Sequence, residues 1–229
     1  MSIQATEKRK LMFEFFDIPH SCFRGLFERM ITKFEGFNRF KDDSEKDKDI
    51  DRLILVAKSY ILYDKKGYNK EIFKMLEPIF EYLLELEYWR VVDLKICCMI
   101  IKFTKNYEEA SLLVNKFQDE LRRFRPEQFP EKLISALYLN LIERVVHADY
   151  FEPEYSKSLE LDTIFNEIFK KVYRSATAYD YKNILAFLAV LKGLFENNEE
   201  FIDKGMELAK EHSEWLCKYI EKTISIYKR

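Results

Sequence analysis

The chain has 229 residues and a formal net charge of −2, so its overall charge gives no reason to expect binding to nucleic acid. Hydrophobic residues make up 48% and charged residues 34%, which predicts a soluble globular protein and excludes a disordered one. Only 5 glycines and 5 prolines are present, too few for the many tight turns of a β protein, so the composition favours long helices.

Periodic apolar positions predict four helices in the first part of the chain. Their expected ranges are Glu7–Phe16, Pro19–Phe37, Ile50–Tyr63 and Asn69–Glu85. The highly charged stretch Lys41–Asp49 lacks apolar anchors and predicts a linker between the second and third of these helices. Pro78 lies inside the fourth, where its missing amide donor is expected to kink or split the helix.

The stretch Glu85–Phe117 is the most informative part of the chain and predicts two adjacent helices. The first, which extends to Phe103, is apolar almost all round, so other helices must cover most of its surface. The second begins at Asn106 and carries Glu108 and Glu109 in its first turn, where negative charge is favourable. A buried helix paired with an amphipathic one is the unit from which helical repeats are stacked.

Five further helices are predicted in the second half of the chain. Their expected ranges are Glu131–His147, Ser156–Tyr173, Tyr179–Asn197, Glu199–Glu211 and Ser213–Tyr227. Paired helices recur at spacings of roughly 35–45 residues, in the range of helical repeats. We therefore predict an all-α fold of stacked antiparallel helical hairpins in a tetratricopeptide-like right-handed superhelix. Residues 1–67 would form N-terminal helices, and residues 68–229 a repeat domain continuous with them.

Cysteine usage and apolar run lengths indicate where the protein acts. The 4 cysteines lack the CxxC spacing of metal sites, and Cys97 and Cys98 are adjacent on an apolar helix, which predicts reduced, buried thiols. No apolar run approaches the length of about 18 residues that a membrane span needs. The N-terminal residues lack the apolar core of a secretory signal. We therefore predict a cytoplasmic protein without a membrane partner.

Motifs of catalysis and cofactor binding are absent from the sequence. There is no glycine-rich nucleotide loop, no GxSxG and no pair of Cys and His suggestive of a nucleophile. Glu143 and His147 lie one helical turn apart and would bind a metal only with further ligands, so an exposed histidine at a helix end is the preferred interpretation. We predict no enzymatic activity, no cofactor and no bound metal.

Several polar side chains are candidates for binding a ligand. Arg122 and Arg123 cluster at a helix end, where they either hold an anionic group or simply complement the helix C-terminus. Asn140 lies between two leucines, so its amide needs a partner, either across the helix pair or on a ligand. Three more polar residues lie on helices that we expect to face the same concave surface, namely Tyr138, Tyr181 and Asn183.

These segments also carry a resemblance to a known family. LEYWRVVDLKICCMIIKF, NYEEASLLVNKF and ISALYLNLIERVVHADYFEPEYSKSLE resemble the C-terminal helical-repeat region of Rgg/GadR/MutR-type transcriptional regulators from Gram-positive bacteria. The resemblance covers about residues 68–225 and consists of apolar positions, an aromatic–Trp pair and an asparagine. It implies a cytoplasmic homodimer that binds a short signalling peptide in a concave groove, as in quorum sensing.

The resemblance assigns a role to two positions. Asn140 matches a groove asparagine that would hydrogen-bond the backbone of the peptide, whereas Met99 stands where the family has a second asparagine. Residues 1–65 show no helix-turn-helix pattern, so we predict no DNA binding by this chain alone. The leading hypothesis is thus a regulatory, peptide-sensing domain. The alternative is a helical-repeat scaffold for protein partners with no small ligand.

Overall fold

The computed structural model describes residues 3–17, 24–39, 45–124, 131–147 and 159–228. Within these residues the protein contains eleven α-helices, one short 3-10 helix and no strand, which confirms the predicted all-α class. None of these helices is long and apolar enough to span a membrane. The chain divides into two compact units, Met1–Glu85 and Leu86–Arg229, one helix beyond the division that we predicted after residue 67.

The first unit contains four helices, α1 Ile3–Phe16, α2 Arg24–Asn38, α3 Lys48–Lys66 and α4 Lys70–Glu85. Consecutive helices pack against each other, and buried aromatic rings from the first three lie in the core together with apolar side chains of α4, among them Ile72 and Leu76. The ring of Phe15 lies 5.8 Å from that of Phe27, which stacks on Tyr60 at 5.2 Å. Helix α4 continues through Pro78 without splitting.

The predicted linker before α3 has a structural role where it is described. The Asp47 side chain accepts hydrogen bonds from the amides of Asp49 (3.0 Å) and Ile50 (3.4 Å), so it caps the N-terminus of α3. Lys8 forms ion pairs with Asp47 (2.7 Å) and Asp49 (2.8 Å), which attaches α1 to the same helix end. Lys48 begins the helix two residues earlier than we predicted.

The second unit contains the remaining helices, α5 Val91–Ile100, α6 Tyr107–Leu121, α7 Glu131–Val146, α8 Leu159–Ala178, α9 Lys182–Glu196, α10 Glu199–His212 and α11 Glu214–Tyr227. A 3-10 helix, Ile101–Phe103, extends α5. As predicted, α5 is buried on most sides; it packs on α6 and α7, and α7 in turn packs on α8 and α9. Asn106 accepts a hydrogen bond from the Glu109 amide (2.8 Å) and so begins α6.

The cysteine prediction is confirmed for α5, where Cys97 and Cys98 are free and buried. Burial raises the pKa of both thiols, which keeps them protonated and unreactive. Cys217 is free and partly exposed, and Cys22 lies outside the described residues.

The closest helix pair of the second unit is α9 with α10. Its turn depends on Asn197, whose positive φ of 51° ends α9, and on Asn198, whose side chain caps α10. Two glycines let the helices approach closely. A Cβ on Gly205 would lie 2.6 Å from the Ala186 carbonyl oxygen, and one on Gly193 would lie 2.7 Å from the Asn198 carbonyl oxygen. Backbone therefore packs on backbone along this pair.

We expect Gly205→Ala to destabilise the protein by about 1–3 kcal/mol, because the added methyl group has no space between α9 and α10. Gly36→Ala in α2 is the control, since no atom lies within 4 Å of the Cβ it would add. Replacing a helical glycine there should stabilise its unit by up to about 1 kcal/mol. Urea or thermal unfolding measures both variants, and equal stability of the two would contradict the close packing.

Candidate functional site

Asn140, the best single candidate from the sequence, has a structural partner. Its side-chain amide donates a hydrogen bond to the backbone carbonyl of Cys98 at 2.7 Å, across the contact between α7 and α5. The sequence left open whether the partner of this amide lies across the helix pair or on a ligand, and the structure shows a partner across the helix pair. Met99, next to that carbonyl, is only 1% exposed and is part of the core.

The two predicted arginines form local ion pairs at the end of α6. Arg122 pairs with Asp119 at 2.9 Å, and Arg123 pairs with Glu120 at 3.0 Å. The guanidinium of Arg123 also lies 3.8 Å from the centroid of the Tyr88 ring. The Arg122 pair is exposed and contributes little stability, whereas the Glu120 carboxylate is buried and also accepts from the Trp89 amide at 3.1 Å.

The remaining candidates lie on α7 and at the start of α9. The Tyr138 hydroxyl accepts a hydrogen bond from the Gln118 amide, which joins α7 to α6. Tyr181 precedes α9 and stacks on Tyr179, with ring centroids 5.6 Å apart. Asn183 lies half-buried in the first turn of α9. The structure brings Asn140 beside the Cys98–Met99 segment of α5 and Tyr138 beside Gln118 of α6.

A buried ion pair in the second unit is the first site that the sequence did not single out. Lys102 Nζ lies 3.3 Å from both carboxylate oxygens of Glu143, and neither side chain is more than 1% exposed. The Tyr219 hydroxyl donates to Glu143 Oε2 at 3.1 Å. Glu143 on α7 therefore holds the 3-10 helix after α5 and the C-terminal helix α11, and we call these three residues the Glu143 hub.

Two further polar side chains of α7 are buried next to the hub. Arg144 Nε donates to the Thr104 carbonyl at 2.9 Å and Nη2 donates to the Lys105 carbonyl at 3.2 Å. The guanidinium therefore supplies hydrogen-bond donors to two backbone carbonyls that follow the 3-10 helix. His147 is 4% exposed, with its ring 5.8 Å from that of Tyr227. The prediction that His147 is an exposed residue was wrong, because α11 covers the end of α7.

Burial dominates the titration of these groups. It lowers the pKa of Lys102, although the Glu143 carboxylate opposes that shift. It also lowers the pKa of His147 to about 4, again against the attraction of Glu143 and with the help of the nearby cations Lys102 and Arg144. In the described part of the chain no cluster of three His, Cys, Asp or Glu side chains could hold a metal ion.

A groove of about 320 Å³ lies on α8, α9 and α10 and is the second site that the sequence did not single out. Its lining residues are Phe169 and Tyr173 on α8, Leu185, Leu188, Ala189 and Lys192 on α9, and Phe201, Lys204 and Leu208 on α10. The lining positions on α9 follow the i, i+3, i+4, i+7 spacing of one helix face, so α9 forms the floor and its neighbours form the walls. None of the predicted binding residues lines this groove.

Aromatic rings and two lysines shape the groove. Phe169 stacks between Phe165 and Tyr173 along α8, at 5.9 Å from each. Lys192 Nζ lies 5.2 Å from the Phe169 ring and 4.4 Å from the Phe201 ring, so its charge sits between the two walls. The groove thus combines an apolar floor with cations, an arrangement suited to binding an apolar ligand that carries negative charge.

Comparisons with known proteins return nothing for this chain: no family model matches it, and neither the curated proteins nor the solved structures include a significant match. The resemblance to Rgg-type regulators therefore stays a prediction. The groove and the hub are the observations from which function can be argued.

We expect Glu143→Gln to cost about 3–5 kcal/mol of stability, because it removes the carboxylate that lies 3.3 Å from the buried Lys102 ammonium. Adding Lys102→Met should recover part of this loss, since the double variant no longer buries the Lys102 ammonium beside an uncharged amide. Urea unfolding measures both, with Asp119→Asn in the exposed Arg122 pair as a control that changes stability little. A double variant no more stable than Glu143→Gln would contradict the ion-pair assignment.

We also expect stability to fall as the pH is lowered from about 6.5 towards 4. The pKa of His147 is near 4 in the folded state and about 6.5 when unfolded, so the unfolded chain binds the extra proton first. The contribution lost is on the order of 3 kcal/mol. Urea midpoints at pH 7 and 4.5 should differ less for His147→Gln than for the wild type or for His212→Gln, whose histidine is exposed. Equal differences in all three would contradict this prediction.

Proposed function

We propose that this chain is a regulatory, ligand-sensing helical-repeat protein that binds a short peptide in the groove of α8, α9 and α10. The observation that supports this proposal is the apolar, cation-bearing lining of the groove. Apolar floors with a few placed polar groups are typical of ligand sites, because burial supplies affinity and the polar groups supply orientation.

The dimensions of the groove suit a peptide segment. Its volume is at the lower end of the range of ligand pockets, about 300–1,000 Å³. The floor extends from Leu185 to Lys192, a length of about 10 Å at the helical rise per residue. Such a length matches about three residues of an extended peptide. A few side chains fill the groove, and the rest of the peptide lies beyond it.

The finer proposal is a tetratricopeptide-like superhelix and a homodimer, as the resemblance to Rgg-type regulators implies. The peptide would then act by population shift, binding one arrangement of the dimer better than the other. Because the Asn140 amide already bonds the Cys98 carbonyl, we place the peptide in the groove of α8–α10 and assign Asn140 to the contact between α7 and α5.

A protein-interaction scaffold is the second candidate, and the same groove supports it. The lining positions of α9 and α10 each lie on one face of their helix. An apolar groove between helices can bind the apolar face of a helix from a partner protein. In that case the ligand is a segment of another protein, and free short peptides would bind only weakly.

Panning a phage library of random octapeptides on the intact protein tests the proposal, with recovered peptides resynthesised and titrated by calorimetry. We expect Ala189→Phe to weaken their binding at least about tenfold, because the new ring fills the groove from its floor. Ala178→Phe is the matched control, since Ala178 is exposed on α8 and does not line the groove. Circular dichroism checks that both variants fold.

Three outcomes distinguish the possibilities. Binding that Ala189→Phe abolishes and Asn140→Ala leaves unchanged supports the groove. Loss of binding in Asn140→Ala with normal binding in Ala189→Phe would move the site to the position that the resemblance implies. Failure to recover any octapeptide, while a 25-residue random library yields helical binders that Ala189→Phe weakens, would favour the scaffold.

A further inference from the structure

The groove has a charged end and an apolar end. Consecutive helices in this part of the protein are antiparallel, since Lys192 near the end of α9 contacts Phe169 in the middle of α8 and Phe201 near the start of α10. Lys204 lies one turn beyond Phe201 on α10. Both ammonium groups therefore belong to the half of the groove nearer the turn between α9 and α10. Leu185 and Leu208 line the other half.

The lining residues carry no compensating negative charge. Among the described residues that line the groove, two are lysines and none is an aspartate or a glutamate. The nearest carboxylate to Lys192 is that of Glu196, one turn further along α9, at 3.8 Å and outside the lining. The Lys192 side chain is 26% exposed, so an occupant that covers the groove removes water from its ammonium group. Because the Glu196 pair is long, at 3.8 Å, and its carboxylate is 39% exposed, an anionic partner on the occupant would offset part of that desolvation.

We propose that the peptide bound in the groove carries an aspartate or glutamate side chain, held by Lys192 and Lys204, next to apolar residues that contact Leu185, Leu188 and Leu208. This inference rests on the proposed function and adds the chemistry and the orientation of the ligand. Carboxylate–ammonium hydrogen bonds are roughly twice as strong as neutral ones, so the acid fixes the direction of the peptide.

An internal acidic side chain fits the groove better than a peptide C-terminus does. The groove accommodates about three extended residues, so a peptide of eight residues passes beyond it at one end or both. Where the peptide passes beyond the charged end, the carboxylate that meets the lysines belongs to a side chain. If binding required a free C-terminus, the carboxylate held by the lysines would be the C-terminal one and not that of a side chain.

The octapeptides recovered by panning provide the probe. Lys192→Gln with Lys204→Gln removes both charges, and Lys182→Gln with Lys210→Gln removes two exposed lysines from the same two helices outside the groove. We expect panning on the wild type and on Lys182→Gln/Lys210→Gln to recover peptides that are both acidic and apolar. The first double variant should bind those peptides at least about tenfold more weakly and should lose the preference for acids.

The controls separate this inference from the proposed function. Peptides with Asp changed to Asn or Glu changed to Gln should lose affinity for the wild type and keep equal affinity for Lys192→Gln/Lys204→Gln. Peptides that lack acids, that need a free C-terminus, or that bind this double variant as tightly as the wild type would overturn the acidic ligand while leaving the groove as the site. Peptides insensitive to Ala189→Phe would overturn the proposed function itself.

Discussion

The Lys102–Glu143 ion pair is the constraint on which the second unit depends. Removing two charges from water costs several kcal/mol for each ion, and this cost is offset only while carboxylate, ammonium and the Tyr219 hydroxyl keep their geometry. The 3-10 helix, α7 and α11 are far apart in sequence, yet each contributes one member. An apolar contact would tolerate sliding between these helices, whereas a buried ion pair does not. The hub therefore specifies one arrangement of helices.

The hub and the groove meet at α9. The Tyr219 ring lies 4.9 Å from that of Phe187 on α9, and the next residue, Leu188, lines the floor of the groove. One helix thus packs on the Tyr219 ring of the hub with one face and forms the floor of the groove with another. This explains why α9 is apolar over most of its circumference, with eight of its residues buried. The position of the floor depends on the packing of α11 beneath it, so the parts most distant in sequence cooperate in building the site.

The sequence predicted the helices well because their determinants are local. Apolar periodicity and the caps at Asn106 and Asn198 are contained within a few residues, and the burial of α5 follows from its composition. The sites were not predictable in the same way. His147 lies at the end of its helix, which suggests exposure, but Tyr227, about 80 residues later in the chain, packs against its ring. Lys192 is the one charged residue of the apolar segment LAVLKGLF, a pattern that marks the position as unusual. The sequence does not reveal that rings of α8 and α10 surround it.

The glycine contact between α9 and α10 limits how amino-acid substitutions can alter the groove during evolution. Because backbone meets backbone at Gly193 and Gly205, the spacing between floor and wall does not depend on the rotamers of the residues that line the groove. Substitutions at Leu185, Leu188 or Leu208 alter the surface of the groove without changing the spacing of α9 and α10. The shape of the groove can therefore change by substitution while the fold is preserved. The two glycines, by contrast, are positions at which such drift is not tolerated.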